Sequence, residues 1–247
     1  MESQTTSDAP SPGQFPTTRW SRVILAGDSD EPLARESLAE LCNAYWYPLY
    51  AYIRRRGYRP DEAGDLTQDF FARLLEKGLL SEADPTRGRF RAFLRTVCLH
   101  FLANRRDHEQ AKKRGGGRAV LPIDPGDAEG RYSRELADEL TPERIFERSW
   151  ALTLLGRVLD QLGREYDEAG KAGTFEGLRE MLDGTSDATS YAAVAARMGT
   201  TEGAARVAAH RLRRRYGELL RREIASTLAD PDEVEDEIRH LFAALEA

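Results

Sequence analysis

Apolar residues return every three or four positions through nearly the whole chain, and nowhere do they alternate with period two long enough to make a strand. Leu38, Leu41, Cys42, Tyr45, Leu49, Tyr52 and Ile53 form one such stripe, and Ala63, Leu66, Phe70 and Leu74 form the next. Phe90, Phe93, Leu94, Val97 and Phe101 follow, then Ile145, Phe146, Trp150, Leu155, Val158, Leu162 and Tyr166. Shorter stripes occur at Tyr191, Val194, Ala195 and Met198, and at Ala205, Ala209, Leu212, Tyr216 and Leu219. A chain patterned this way buries helix faces against helix faces. The expected fold is all-α: two small helical domains joined by an acidic flexible linker, the second containing a helix-turn-helix.

Helix punctuation sets the boundaries. Residues 1–18, rich in Ser, Thr, Pro and Gly, are expected to be disordered. A first domain runs over 19–114, with Pro48 as an expected kink or break, Pro60-Asp61 opening its second helix, and Asp84-Pro85-Thr86-Arg87-Gly88 turning into its third. Gly115-Gly116-Gly117, prolines and the acids Asp124, Asp127, Glu129, Asp138 and Glu139 mark a linker over 115–140. Thr141-Pro142-Glu143 starts the second domain, 141–226, with proline at the first helical position. After a glycine-rich stretch with a short helix near 175–182, Ser190 caps a helix that stops at Gly199, and a longer helix runs from Thr201 to about Ser226. Residues 227–247 form a C-terminal amphipathic helix: Asp230-Pro231-Asp232-Glu233 reads as its start, and Val234, Ile238, Leu241, Phe242 and Leu245 as its apolar stripe. Glu235, Asp236 and Glu237 are expected on its opposite face. This helix is expected to dock on the second domain and tune access to its basic surface, to close that domain structurally, or to bind an external regulator.

No apolar run approaches the roughly 20 residues of a membrane helix. The N-terminus has neither a basic nor an apolar signal region, so a cytoplasmic protein is expected. Cys42 and Cys98 lie far apart within apolar stripes, against a disulfide scaffold or a cysteine zinc site, and fit a reducing compartment. His100, His108, His210 and His240 lack metal-ligand spacing, and no phosphate loop or nucleophile elbow occurs. No cofactor, metal or catalytic residue is expected, and the chain does not read as an enzyme. His100 and Cys98 read as packing residues.

The net charge of -6 conceals alternating blocks. Residues 61–85 have a net of -5, with seven acids against Arg73 and Lys77, and 86–118 a net of +8, with ten Arg/Lys against Asp107 and Glu109. Residues 190–223 have a net of +5, with eight Arg against Glu202, Glu218 and Glu223, and 224–247 a net of -6. On the third helix Arg91, Arg95, Arg105 and Arg106 share an arc beside the apolar stripe, without acids of that helix among them, and Lys112, Lys113 and Arg114 prolong the charge. An anionic polymer is the expected ligand. On the helix after Gly199, Glu202, Arg206, His210 and Arg213 point outward together, with Arg211, Arg214 and Arg215 spread over the remaining exposed side. A helix-turn-helix built this way can enter a major groove, Arg206, His210 and Arg213 reaching base edges and the flanking arginines phosphates.

Three segments in order carry a resemblance. Asp65-Leu66-Thr67-Gln68-Asp69-Phe70-Phe71-Ala72-Arg73-Leu74-Leu75 resembles the polymerase-binding helix of bacterial sigma factors of the extracytoplasmic-function group. Phe90-Arg91-Ala92-Phe93-Leu94 with Phe101-Leu102-Ala103-Asn104-Arg105-Arg106 is similar to that family's promoter-melting and −10-element region. Ser190-Tyr191-Ala192-Ala193-Val194-Ala195, Thr201-Glu202-Gly203-Ala204-Ala205-Arg206 and His210-Arg211-Leu212-Arg213 resemble its −35-reading helix-turn-helix. The resemblance covers about 45–112 and 141–222. It implies a transcription initiation factor that binds core RNA polymerase through Asp61, Asp65, Gln68, Asp69 and Phe70. Arg91, Arg95, Asn104, Arg105 and Arg106 would meet the −10 element of promoter DNA. Thr201, Glu202, Arg206, His210, Arg211, Arg213 and Arg214 would meet the −35 element. An anti-sigma factor or other regulator is a further partner that the resemblance admits, and no membrane is involved. Phe93 stands where the family often has Trp, 168–189 is longer than usual, and 224–247 extends beyond the usual end. The alternative reading is an autonomous helix-turn-helix regulator that binds duplex DNA by itself, and an interaction-only adaptor is a third.

Overall fold

The computed structural model describes residues 32–76, 89–111, 125–135, 140–182, 191–228 and 230–246; within 32–41, 75–76, 106–111, 125–126 and 135, as at 231, only the backbone is described. The expectations for 1–18, the turn 84–88, Gly115-Gly116-Gly117, Lys112, Lys113, Arg114 and the Ser190 cap lie outside the described residues. The described chain is all-helical, with α1 Pro32–Arg55, α2 Pro60–Glu76, α3 Phe90–Ala111, α4 Pro125–Glu135, α5 Pro142–Glu168, α6 Ala172–Leu178, α7 Tyr191–Arg197, α8 Glu202–Ala225 and α9 Val234–Glu246. Short 3₁₀ turns follow α6 at Arg179–Met181 and precede α9 at Pro231–Glu233. No described helix is long and apolar enough to cross a membrane.

Local chemistry accounts for the helix ends. Thr141 caps α5, its hydroxyl accepting from the Arg144 amide at 3.3 Å, with Pro142 at the first position where no intrahelical partner is lost. After α7, the Gly199 amide donates to the Ala196 carbonyl and the Thr200 amide to the Ala195 carbonyl. That double bond pattern requires a left-handed residue, and Gly199 supplies it at φ +63°. Pro48 does not end α1: the helix continues through it, flanked by buried Tyr47, Leu49 and Tyr50. One missing ladder bond is outweighed by the packing of those side chains.

The central element is α5, which packs on α1, α6, α8 and α9. Its contact with α1 is aromatic and buried: Tyr52 meets Phe146 edge-on at 6.1 Å, and Trp46, Tyr45 and Trp150 are buried nearby. Tyr45 in turn meets Phe90 of α3 at 5.4 Å, and Phe101 of α3 meets Phe70 of α2 at 5.8 Å. The apolar core therefore runs without a break from α1–α3 into α5 and α8. Arg55 Nε donates to the Leu140 carbonyl at 2.6 Å, tying the end of α1 to the start of α5.

Within 115–140, expected as a flexible linker, Pro125–Glu135 is a helix seated on α1 and α2. Ala128 and Tyr132, one turn apart, are buried, a two-residue stripe too short to register in the sequence. Glu129 accepts from Tyr50 Oη at 2.6 Å and from Arg54 Nε and Nη2 at 2.8 Å each. The Arg131 guanidinium lies 3.7 Å from the Tyr47 ring centre. Chiefly through the Arg54 hydrogen bonds, and against the effect of burial, the Glu129 carboxyl is held below its ordinary range. A depressed carboxyl stabilises the fold above its unfolded pKa, about 4.3, and loses that contribution as pH falls through the native value. Amide exchange corrected for intrinsic rate is expected to show α4 keeping its protection at neutral pH and losing it in acid. Glu129→Gln should leave α4 less protected at neutral pH and insensitive to acid; an unchanged acid transition in that variant would refute the assignment.

Candidate nucleic-acid interface

α7 and α8 cross through small side chains. Ala195 and Val194 of α7 are buried, as are Ala205, Ala209 and Leu212 of α8, whereas Ala192, Ala193 and Ala204 face solvent. Thr201 caps α8, its hydroxyl accepting from the Ala204 amide at 3.2 Å. From this anchored start the helix turns Glu202, Arg206, His210, Arg211 and Arg214 outward, with Val207 half-exposed among them at 51%. Arg206 pairs with Glu202 at 2.7 Å and its guanidinium lies 4.9 Å from the Tyr191 ring centre. Such an exposed pair contributes under about 1 kcal/mol and exchanges readily for a better anion.

Two arginines of α8 hold the helix in place. Arg215 makes a forked pair with Glu165 of α5, at 2.7 and 2.8 Å, and also meets Glu218 at 3.1 Å. These hydrogen bonds, those of Glu165 first, hold its guanidinium pKa above the usual value. Arg213, expected to reach base edges, is exposed as expected but donates to the Met181 carbonyl at 3.2 and 2.9 Å and to Tyr191 Oη at 2.9 Å. The turn after α6 lies against this side of α8 and supplies that carbonyl. Arg213 is thus an anchoring residue.

The arginines of α3 are placed differently from the sequence expectation. Arg91 is buried at 6% exposure. Its Nε pairs with Glu147 of α5 at 2.6 Å, its Nη1 pairs with Glu237 of α9, and its guanidinium lies 4.3 Å from the Trp150 ring centre. Burial is the larger influence on Arg91 and lowers its pKa, with Glu147 opposing. Arg95 meets the same Glu147 at 3.5 Å, and Arg105 pairs with Asp69 of α2. Asn104 is exposed, and the Arg106 side chain lies outside the described residues. The cause is rotational: Cys98 and Leu102, both buried, lie at about −20° and +20° from Arg91 at 100° per residue, so the buried face includes Arg91 itself. Acids absent from α3's own arc arrive from three other helices. His100, expected as packing, is exposed, while neighbouring Cys98 is buried and its thiol pushed up to about 12.

On α2, Asp65 is exposed, Gln68 half-buried, and Asp61 exposed beside Arg59 at 2.5 Å. Asp69 is engaged by Arg105. Phe70, expected at a partner surface, is 1% exposed between Phe71 and Phe101, and so belongs to the core. Among the described residues no group of three His, Cys, Asp or Glu is placed to hold a metal ion.

Residues that the sequence reading missed are the acids that receive these arginines: Glu147, Glu165 and, on α9, Glu237. The last carried a signal. At 100° per residue Glu237 falls about 60° from Val234 and about 40° from Leu241, on the flank of the apolar stripe and not opposite it. Phe242 falls off the other edge and is 48% exposed. An acid beside a buried stripe calls for a cationic partner.

Comparison with family models, with curated proteins and with solved structures finds no match to this chain.

Proposed function

We propose that this protein is a transcription initiation factor of the sigma type, binding core RNA polymerase and directing it to −35 and −10 promoter elements in the cytoplasm. The observation that carries the reading is the outward face of α8. Glu202, Arg206, His210, Arg211 and Arg214 stand exposed on a helix that follows a short helix and a glycine turn, while its opposite face is locked to α5 and α7. That is the geometry a recognition helix needs: a rigid seat, long polar side chains, and net positive charge. The order of the three resembling segments supports polymerase as the partner, with the exposed Asp65 as the acid available to a basic surface. An anti-sigma factor or another regulator fits the same reading.

The test adds the protein to sigma-free core polymerase and a promoter library and sequences the transcripts. Promoter-specific initiation is expected. Sequence-specific duplex binding without any core-dependent transcript would favour the autonomous regulator instead. Asp65→Arg is expected to weaken assembly with core while shifting stability by only about 0.5 kcal/mol, as surface charge changes do. It is the cleaner variant, because Asp69→Arg would also break the pair with Arg105. Normal assembly of a folded Asp65→Arg protein would count against the contact.

A further inference from the structure

Glu237 of α9 is the most enclosed carboxylate among the described residues, with a side chain 1% exposed. It faces two guanidiniums of the α3 region: Arg89 Nε at 2.8 Å from Oε2, and Arg91 Nη1 at Oε1. Arg89 Nη2 also lies 2.9 Å from His240 Nδ1, one turn further along α9. Neither Glu237 oxygen has a partner in hydrogen-bond alignment, so the hold is one of charge. A buried pair of this kind is weak support for a fold, since its desolvation opposes its attraction and apolar replacements are often neutral or better. The rest of α9 is lightly seated: Leu241 is its one fully buried apolar residue, Val234, Ile238 and Leu245 are half-covered, and Phe242 is exposed. The same helix places Glu235 on Arg221 of α8 at 2.8 Å, so its acids engage arginines of both basic segments.

We propose that α9 is an autoinhibitory clasp, in which Glu237 occupies the position of a nucleic-acid phosphate between Arg89 and the Nη1 edge of Arg91 and keeps that pair closed until a nucleic acid displaces the helix. This rests on the nucleic-acid reading of α3 given above. Two guanidiniums converging on one carboxylate present the paired positive charge that a phosphate diester would neutralise. Glu237 masks the Nη1 edge of Arg91, while Glu147 holds its Nε edge whether or not α9 is in place. Displacement exchanges one carboxylate for a polyanion carrying many charges, and releases a helix whose apolar seat is small.

The experiment uses the full chain and its Glu237→Gln variant, which keeps shape and removes the charge. Binding to a fluorescein-labelled DNA oligonucleotide is followed by anisotropy over a range of salt. If a closed clasp leaves about one molecule in ten competent, opening it raises apparent affinity about tenfold. Arg91 keeps its pair with Glu147, so the freed Arg89 steepens the slope of log K against log salt by about one. Equal affinity and slope in a folded variant, with or without a lower melting temperature, would make the pair a structural contact only and overturn the clasp. The wild type supplies a second measurement that does not depend on the variant folding. Amides of 234–246 are expected to lose exchange protection at saturating DNA, and retained protection there overturns the proposal. Core-directed transcription by the wild type is run in parallel. Transcription with no change in DNA affinity or α9 protection rejects the clasp alone, whereas absence of both DNA binding and transcription rejects the sigma reading and the clasp with it.

Discussion

Phe146→Ala is expected to cost about 3–5 kcal/mol of folding stability, the usual range for deleting a buried phenyl ring. Phe146 is 0% exposed on α5 and meets Tyr52 of α1 edge-on, at the contact where the first and second halves of the chain share their core. A further consequence follows from that shared core. Helices from both halves should unfold in one transition, and the substitution should move all of it. Circular dichroism reports every helix, and tryptophan fluorescence in a Trp20→Phe background reports the shared core, because Trp46 and Trp150 are buried there. Coincident denaturant midpoints, both lowered in the variant, are the expected result. A biphasic curve in which Phe146→Ala moves only one phase would show that the halves unfold separately.

Arg206→Ala is expected to remove about 1–3 kcal/mol of discrimination at one promoter base pair, the worth of a good bidentate base contact. The guanidinium is exposed and its pairing with Glu202 is of the surface kind, so the melting temperature should hardly move. Arg213→Ala should behave in the opposite manner. Its guanidinium is committed to the Met181 carbonyl and Tyr191, so its loss should loosen the turn after α6 from α8 and lower stability, without relaxing preference at any one position. Transcription from promoters randomised over the −35 element, set beside thermal melts of both variants, separates the two. If Arg213→Ala relaxes base preference and Arg206→Ala does not, the roles assigned to the two arginines are exchanged.

The different surroundings of those two arginines show where sequence reasoning stops. Both lie on the outward arc of α8, and periodicity alone treats them alike. What distinguishes them is the turn after α6, which ends against the side of α8 that Arg213 occupies. Arg91 repeats the lesson with one difference. Its burial was partly legible, since Cys98 and Leu102 extend the apolar face of α3 around to it, but Glu147 and Glu237 belong to other helices. Phe70 was legible as core from its spacing with Ala63, Leu66 and Leu74, and the structure keeps it there. The helix at Pro125–Glu135 was hidden because two buried positions, Ala128 and Tyr132, are too few to make a periodic signal among glycine, proline and acids.

The sequence by itself determined the all-helical class, the starts of α5 and α8 at Thr141 and Thr201, the stop at Gly199, and the outward set Arg206, His210, Arg211 and Arg214. These are local matters, decided by side chains within a turn or two of one another and by the 3.6-residue period. Only the tertiary structure decided which arginines are engaged, which acids engage them, and that α1 and α5 share one core. Helical periodicity gives each side chain a direction about its own axis, but what stands in that direction depends on how the axes pack. That packing is settled by the joint burial of many apolar side chains drawn from distant parts of the chain.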